Sequence, residues 1–127
     1  TIARLLLKIG PRFGMRRLRV PVEPVETLRK VEPVKLGIEA RIAGPYAKLL
    51  RRRAKRAGLS VPDQVFGLAW SGAMTHARVA GLLRNLPPGD TEIYTHPALA
   101  GGFEGSAPAY RYREELDGLL AARDHSP

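Results

Sequence analysis

Short β-branched runs alternate with helical stretches along this chain, and no other sequence feature restricts its fold so strongly. Leu18-Arg19-Val20-Pro21-Val22 reads as a first strand, closed by Pro21 and Pro24, which cannot donate to a continuing ladder. Residues 23–37 read as a long irregular connection. A helix follows over about 40–57. Val65-Phe66-Gly67-Leu68-Ala69 reads as a buried strand that leads into a Trp70-Ser71-Gly72 turn. Thr75 is placed to cap a helix with the stripe Val79, Leu82, Leu83 and Leu86, stopped by Pro87-Pro88-Gly89. Thr91–Thr95 is a third strand. A loop with Gly101, Gly102 and Gly105 then leads past Ser106 to a last helix with Tyr112, Leu116, Leu119 and Leu120 on one side. Glu114 and Glu115 fall early in that helix, where its dipole favours them.

Strands alternating with helices in this way argue for an α/β fold built of parallel βα units. Three such units, preceded by a helix, do not close a barrel. A complete (β/α) barrel needs about 250 residues, and the chain has 127. The expectation is the C-terminal half of a TIM-like barrel, a single partial domain over residues 1–127. The opening agrees with this. The chain starts on Thr1, and Ile2, Leu5, Leu6 and Ile9 already recur at helical spacing before Gly10-Pro11 stops them, which reads as a piece of a longer chain.

Charge is unevenly placed. Residues 1–60 hold 16 Lys or Arg against 4 acids, a net of +12, whereas residues 61–127 hold 5 against 8, a net of −3. Half of the excess lies in Lys48, Arg51, Arg52, Arg53, Lys55 and Arg56. Tyr46, Leu49, Leu50, Ala54 and Ala57 interleave with them as one apolar stripe, so the cations read as the solvated side of a helix. Gly58 is the left-handed stop, with Leu59 packing back on the last turn. A minority reading is a small basic protein that uses the 48–56 helix to bind RNA or anionic lipid. Nucleic-acid binding would want aromatic or polar readers beside the cations, and only Tyr46 is near, so no nucleic-acid partner is expected. Steep loss of affinity with salt would mark phosphate binding.

With no cysteine, disulfides, thiolate metal sites and cysteine nucleophiles are excluded. No apolar run approaches the ~20 residues that cross a bilayer, and no signal peptide is visible. A cytoplasmic setting is expected.

In barrels of this kind reactive groups collect at the C-terminal ends of the strands. The first strand ends with Arg19 and Glu23 in reach, the second runs into Trp70, Ser71 and Gly72, and the third ends on Tyr94, Thr95, His96 and Pro97. Glu23, Trp70 and Ser71 are candidate substrate contacts. His96 is the sharpest candidate, because imidazole is the natural proton shuttle near neutral pH. Position alone leaves it open between that role and a histidine that merely hydrogen-bonds a loop. His76 and His125 read as surface residues. No metal-binding His spacing, nucleophile elbow, phosphate loop or dinucleotide fingerprint occurs.

Several segments resemble a known family. Arg16–Pro24, RRLRVPVEP, resembles a strand end of the YdjC/ChbG-like carbohydrate deacetylases, and Asp90–Ala98, DTEIYTHPA, resembles that family's late strand ending in His-Pro. FGLAWSGAMTHARVAGLLRNLPPG and APAYRYREELDGLL look like the hopanoid-biosynthesis (HpnK-type) subgroup, and the likeness covers essentially the whole chain. The resemblance implies an irregular TIM-like barrel and a metal-dependent hydrolase, with zinc or magnesium, that removes N-acetyl groups from amino sugars. In the subgroup the implied substrate is an N-acetylglucosaminyl hopanoid lipid. His96 matches the family's late histidine, a candidate general acid or transition-state donor, and Arg19 matches the strand-end arginine that orients or charge-balances a catalytic carboxylate. The family's aspartate pair and metal histidines match no residue here, so no metal is expected on this chain alone and its isolated activity is expected to be nil. The implied partners are an amino-sugar or glycolipid substrate and, through it, the membrane surface. Unpaired strand edges make self-association an expectation as well.

Overall fold

The computed structural model describes residues 2–35 and 38–123, with side chains outside 38–43. Thr1, Gly37 and His125 lie outside the described residues. The elements run in the order α1 (Ile2–Ile9), a 3-10 turn (Gly10–Phe13), α2 (Val25–Val31), α3 (Ile38–Arg56), β1 (Gln64–Phe66), α4 (His76–Arg84), β2 (Thr91–Ile93) and α5 (Tyr112–Arg123). β1 and β2 pair as a two-stranded parallel sheet. The chain is therefore α/β, as the alternation implies. It forms two compact units: Thr1–Glu23, Lys35–Val65 and Gly89–Glu92 in the first, and Pro24–Val34, Phe66–Pro88 and Ile93–Pro127 in the second.

In the first unit, the run expected as a strand at Leu18–Val22 is extended but is not one. Ser60 N donates to Arg16 O and Leu18 N to Ser60 O, both at 2.9 Å, which closes a single parallel bridge between Arg17 and Ser60. Val65 N reaches Val22 O at 2.9 Å, but between these contacts Pro21 has no N–H and Val22 N folds back on Val20 O at 2.8 Å. The proline interrupts the ladder one residue before the strand would be established.

The stripe expected on the basic helix is also shifted. Ala47 and Ala54 are buried with Val20, Leu59 and Val61, and Leu50, Leu7, Met15, Leu18 and Val22 pack around them. Tyr46 and Leu49 instead remain 53% and 44% exposed. Alanines let α3 approach the extended segment closely, so the 47–50–54 face wins over the bulkier one. The helix stop is as read: Gly58 has φ +78°, Leu59 N returns to Ala54 O at 3.0 Å, and Leu59 is buried. On α1 the apolar stripe of Ile2, Leu5, Leu6 and Ile9 is exposed, and only Leu7 from another side packs on the core.

The second unit is built on Leu28, Phe66, Trp70, Met74, Val79 and Leu82. α2 occupies part of the stretch expected to be irregular. Pro24 pre-sets its entry, Glu26 complements its first turn, and Val25, Leu28 and Val31 recur at three-residue spacing. Pro33 then follows its end. On α4, Val79 and Leu82 are buried as expected, but Leu83 and Leu86 are exposed. On α5 the expected apolar side is wrong in a more informative way. Leu119 and Leu120 face out, and the buried face is Tyr112, Glu115 and Gly118. Gly118 allows this, because a methyl group there would stand 2.9 Å from the His76 backbone nitrogen.

Candidate functional site

β2 ends at Ile93, and the chain continues through Tyr94 to His96 before Pro97 turns it away. β1 ends at Phe66, and the following loop carries Trp70, Ser71, Gly72 and Met74. Both loop segments are fastened by one side chain from α5. Glu115 is fully buried; its Oε1 accepts from Met74 N at 3.0 Å and its Oε2 accepts from the backbone N–H of His96. A carboxylate without solvent is costly unless its lone pairs are used, and these two N–H donors use one on each oxygen.

The His96 imidazole lies over the same carboxylate. Nδ1 is 3.9 Å from Glu115 Oε2, it is buried, and it has no hydrogen-bond partner. The side chain as a whole is 35% exposed, so its open area lies on atoms other than Nδ1. Two tyrosines hold the ring edge-on: Tyr94 with centroids 5.8 Å apart at 82°, and Tyr110 at 4.9 Å and 61°. Tyr110 in turn meets Ser71, with 3.1 Å between the hydroxyl oxygens. The structure thus brings two of the expected site residues, His96 and Ser71, together through a tyrosine that the sequence did not single out.

Gly72 makes that arrangement possible. It has φ +77°, and a Cβ there would overlap the Tyr110 ring. Its carbonyl accepts from Arg111 N at 2.7 Å, which ties the loop to the entrance of α5. Trp70 is placed otherwise than as a platform for a ligand. It is only 6% exposed and belongs to the core, with the Arg78 guanidinium 5.2 Å from its ring centre. Arg78 forms a fork with Glu32, at 2.9 Å from Nε to Oε2 and 2.8 Å from Nη2 to Oε1, and donates from Nη1 to Ala73 O at 2.8 Å. The hydrogen bonds from Arg78 are the main reason the Glu32 carboxyl sits below its ordinary range. His76 opens α4 and is exposed.

Arg19 and Glu23 belong to the first unit. Arg19 is exposed and pairs with Glu92 of β2; Glu23 is half-buried. Asp63 takes Arg51 and, at 3.6 Å, Lys55, so two cations of the basic helix are already partnered. Its carboxyl is held below the usual range, first by the Asp90 N–H at 3.0 Å and then by these cations. A cleft of about 350 Å³ in this unit is lined by Ala3, Leu7, Tyr46, Leu49 and Arg53 among others, and by none of the expected site residues.

In the sequence, Glu115 stands in the first turn of its helix only as a dipole partner. A signal was present: Tyr112, Glu115 and Gly118 are spaced three apart, and a glycine on a helix face marks a close approach. Among the described residues no three His, Asp or Glu side chains converge as a metal cage. The described residues therefore do not by themselves fit the divalent metal that the resemblance implies.

A family model for YdjC-like protein matches residues 1–123. The chain belongs to the YdjC-like family. No curated protein and no solved structure matches the chain. The YdjC-like family is of carbohydrate-deacetylase type, which supports a hydrolase reading. Among the described residues, no helix is long and apolar enough to cross a membrane.

Proposed function

We propose that this YdjC-like chain takes part in carbohydrate N-deacetylation, with His96 as the group that protonates the departing amine. The observation that carries this reading is the His96 imidazole, seated just beyond a parallel strand and backed by the buried Glu115 carboxylate. Hydrolysis of an N-acetyl group adds water across the amide: the carbonyl carbon gains a C–O bond, the C–N bond breaks, and the nitrogen needs a proton to leave. A positioned imidazole in its protonated form supplies that proton, and the proton lost by the attacking water balances the step. Ser71 and Tyr110, with two hydroxyls side by side, suit hydrogen bonding to sugar hydroxyls. Arg19 would charge-balance a carboxylate, the part it already plays for Glu92.

The finer reading is an N-acetylglucosaminyl hopanoid as substrate, met by a cytoplasmic protein at a membrane surface. It includes a zinc- or magnesium-dependent reaction on a TIM-like barrel of which residues 1–127 form the C-terminal half, with the metal held by residues other than those described. The test is acetate release from an N-acetylglucosaminyl lipid, with either metal supplied, by the protein expressed from its full reading frame. His96→Ala should lower kcat by about 10²–10⁴, the range for a general acid–base group, and His76→Ala should be nearly silent. Unchanged turnover in His96→Ala, or no acetate from the wild-type protein, overturns the reading.

A further inference from the structure

We propose that Glu115 is the positioning residue of the site, holding His96 in the tautomer with its proton on Nδ1 so that Nε2 is the nitrogen offered to a ligand. The inference rests on the function proposed for His96 and deepens it. It starts from two independent features. One is a carboxylate with no solvent exposure, whose oxygens accept from the backbone N–H groups of Met74 and His96. The other is a buried imidazole nitrogen, His96 Nδ1, with no hydrogen-bond partner.

The two lie together. Glu115 Oε2 is 3.9 Å from Nδ1, longer than a hydrogen bond but close enough, inside the protein, for its charge to act on that nitrogen. A neutral imidazole has one donor and one acceptor nitrogen, and the partner of one decides the character of the other. A carboxylate accepts and cannot donate. The nitrogen facing it must therefore carry the proton, and the far nitrogen is left as the exchanging atom: it takes up a proton to form the imidazolium and gives that proton to the departing amine. The reverse tautomer would aim a lone pair at an anion inside the protein. The backbone bond from His96 N to the same carboxylate fixes the main chain under the ring, while Tyr94 and Tyr110 fix the ring plane. Glu115 itself touches no substrate in this arrangement; it acts through His96.

The tautomer is read directly from ¹⁵N shifts of the imidazole nitrogens, recorded under alkaline conditions where histidines are neutral. His96→Gln assigns the signals, and exposed His76 serves as the internal reference. In the wild-type protein His96 should show one tautomer protonated at Nδ1, and His76 the ordinary mixture dominated by Nε2–H. Glu115→Gln, which puts an amide donor among the same neighbours, should shift His96 toward Nε2–H. In acetate release, Glu115→Gln should lower kcat about 10–100-fold, the size of loss known for changing the hydrogen-bond partner behind a metal-bound imidazole, with KM changed less than about twofold. Glu115→Asp, which keeps the charge, should retain the Nδ1–H tautomer and recover part of kcat. A wild-type His96 protonated at Nε2 overturns the proposal without any variant, so a Glu115→Gln protein that fails to fold does not protect it. An unchanged tautomer in a folded Glu115→Gln protein overturns it as well. If the wild-type protein releases no acetate while the tautomer responds as described, the deacetylase reading fails and the positioning role of Glu115 stands.

Discussion

Arg78 is the side chain whose removal should most disturb the loop that carries Ser71 and Gly72, and its worth can be built up contact by contact. The fork to Glu32 is partly open to water, with the glutamate side chain 41% exposed. Discounted for that screening, it contributes about 0.5–1 kcal/mol. The bond from Nη1 to Ala73 O, at 2.8 Å, is charge-assisted and about half-enclosed, worth about 1.5–2 kcal/mol. The guanidinium over Trp70 adds about 0.5–1 kcal/mol. Arg78→Met keeps an apolar stem against the indole and so recovers a little. The expected cost is about 2–3 kcal/mol, whereas Glu32→Gln should cost only about 0.5–1 kcal/mol.

The assay is urea unfolding followed by the fluorescence of Trp70, the single tryptophan in the chain, which reports on the second unit. A double-mutant cycle between Arg78→Met and Glu32→Gln should give a coupling of about 0.5–1 kcal/mol, well below the whole cost of losing Arg78. The pH dependence has a definite sign. The Glu32 carboxyl is lowered from its ordinary 4.5, so the fork stabilises the fold above that value and the benefit is lost as pH falls through the depressed one. The gap between wild type and Arg78→Met should therefore be full at pH 7 and narrow, without closing, in acid. A cycle in which Glu32→Gln costs as much as Arg78→Met would refute the argument, because the Ala73 and Trp70 contacts would then contribute nothing.

Gly118→Ala should cost about 1–3 kcal/mol by urea midpoint, since the added methyl meets the His76 backbone, which cannot yield. Gly81→Ala should cost at least as much, because its methyl would stand 2.5 Å from Val31 Cγ1, a β-branched side chain with little rotamer freedom in a helix; a much smaller loss would show that α2 yields. Gly72→Ala should disorder the Tyr110 ring and break its contact with Ser71, seen as loss of the upfield-shifted His96 and Tyr110 ring signals in NMR spectra, and unchanged signals would contradict the packing described. Asp63→Asn should lower the denaturation midpoint of the first unit at pH 7, and the difference should shrink as pH falls below the ordinary aspartate value of 3.8, since a depressed carboxyl stabilises only while ionised.

What was legible in the sequence, and what was not, follows the range of the interactions involved. The stop at Gly58-Leu59 was readable because a left-handed glycine and a return bond to Ala54 are local. The position of His96 after a strand was readable for the same reason. The strand expected at Leu18–Val22 does not form because β-branched residues cannot replace the single missing N–H of Pro21, and a segment held by so few bonds does not survive that loss. α2 is hard to see in the sequence because Pro24 and Pro33 resemble loop punctuation, although one opens a helix and the other follows the end of one. The apolar stripes on α3 and α5 were misjudged in rotation, since a stripe of large residues and a stripe of small ones share the same period. Only the partner decides which is buried.

That last point explains why half of the candidate site was hidden. A glutamate in the first turn of a helix satisfies the dipole whichever way it points, so nothing local distinguishes Glu114, exposed and paired with Arg111, from Glu115, wholly enclosed. The difference comes from Gly118, three residues on, which lets α5 close on the start of α4 and turns that face inward. Once the face is inward, an ionisable side chain on it must find donors, and the two it finds are the backbone N–H groups of the loops that follow β1 and β2. The helix packing and the proposed chemistry are thus one constraint: the close approach that buries Glu115 is also what fastens His96.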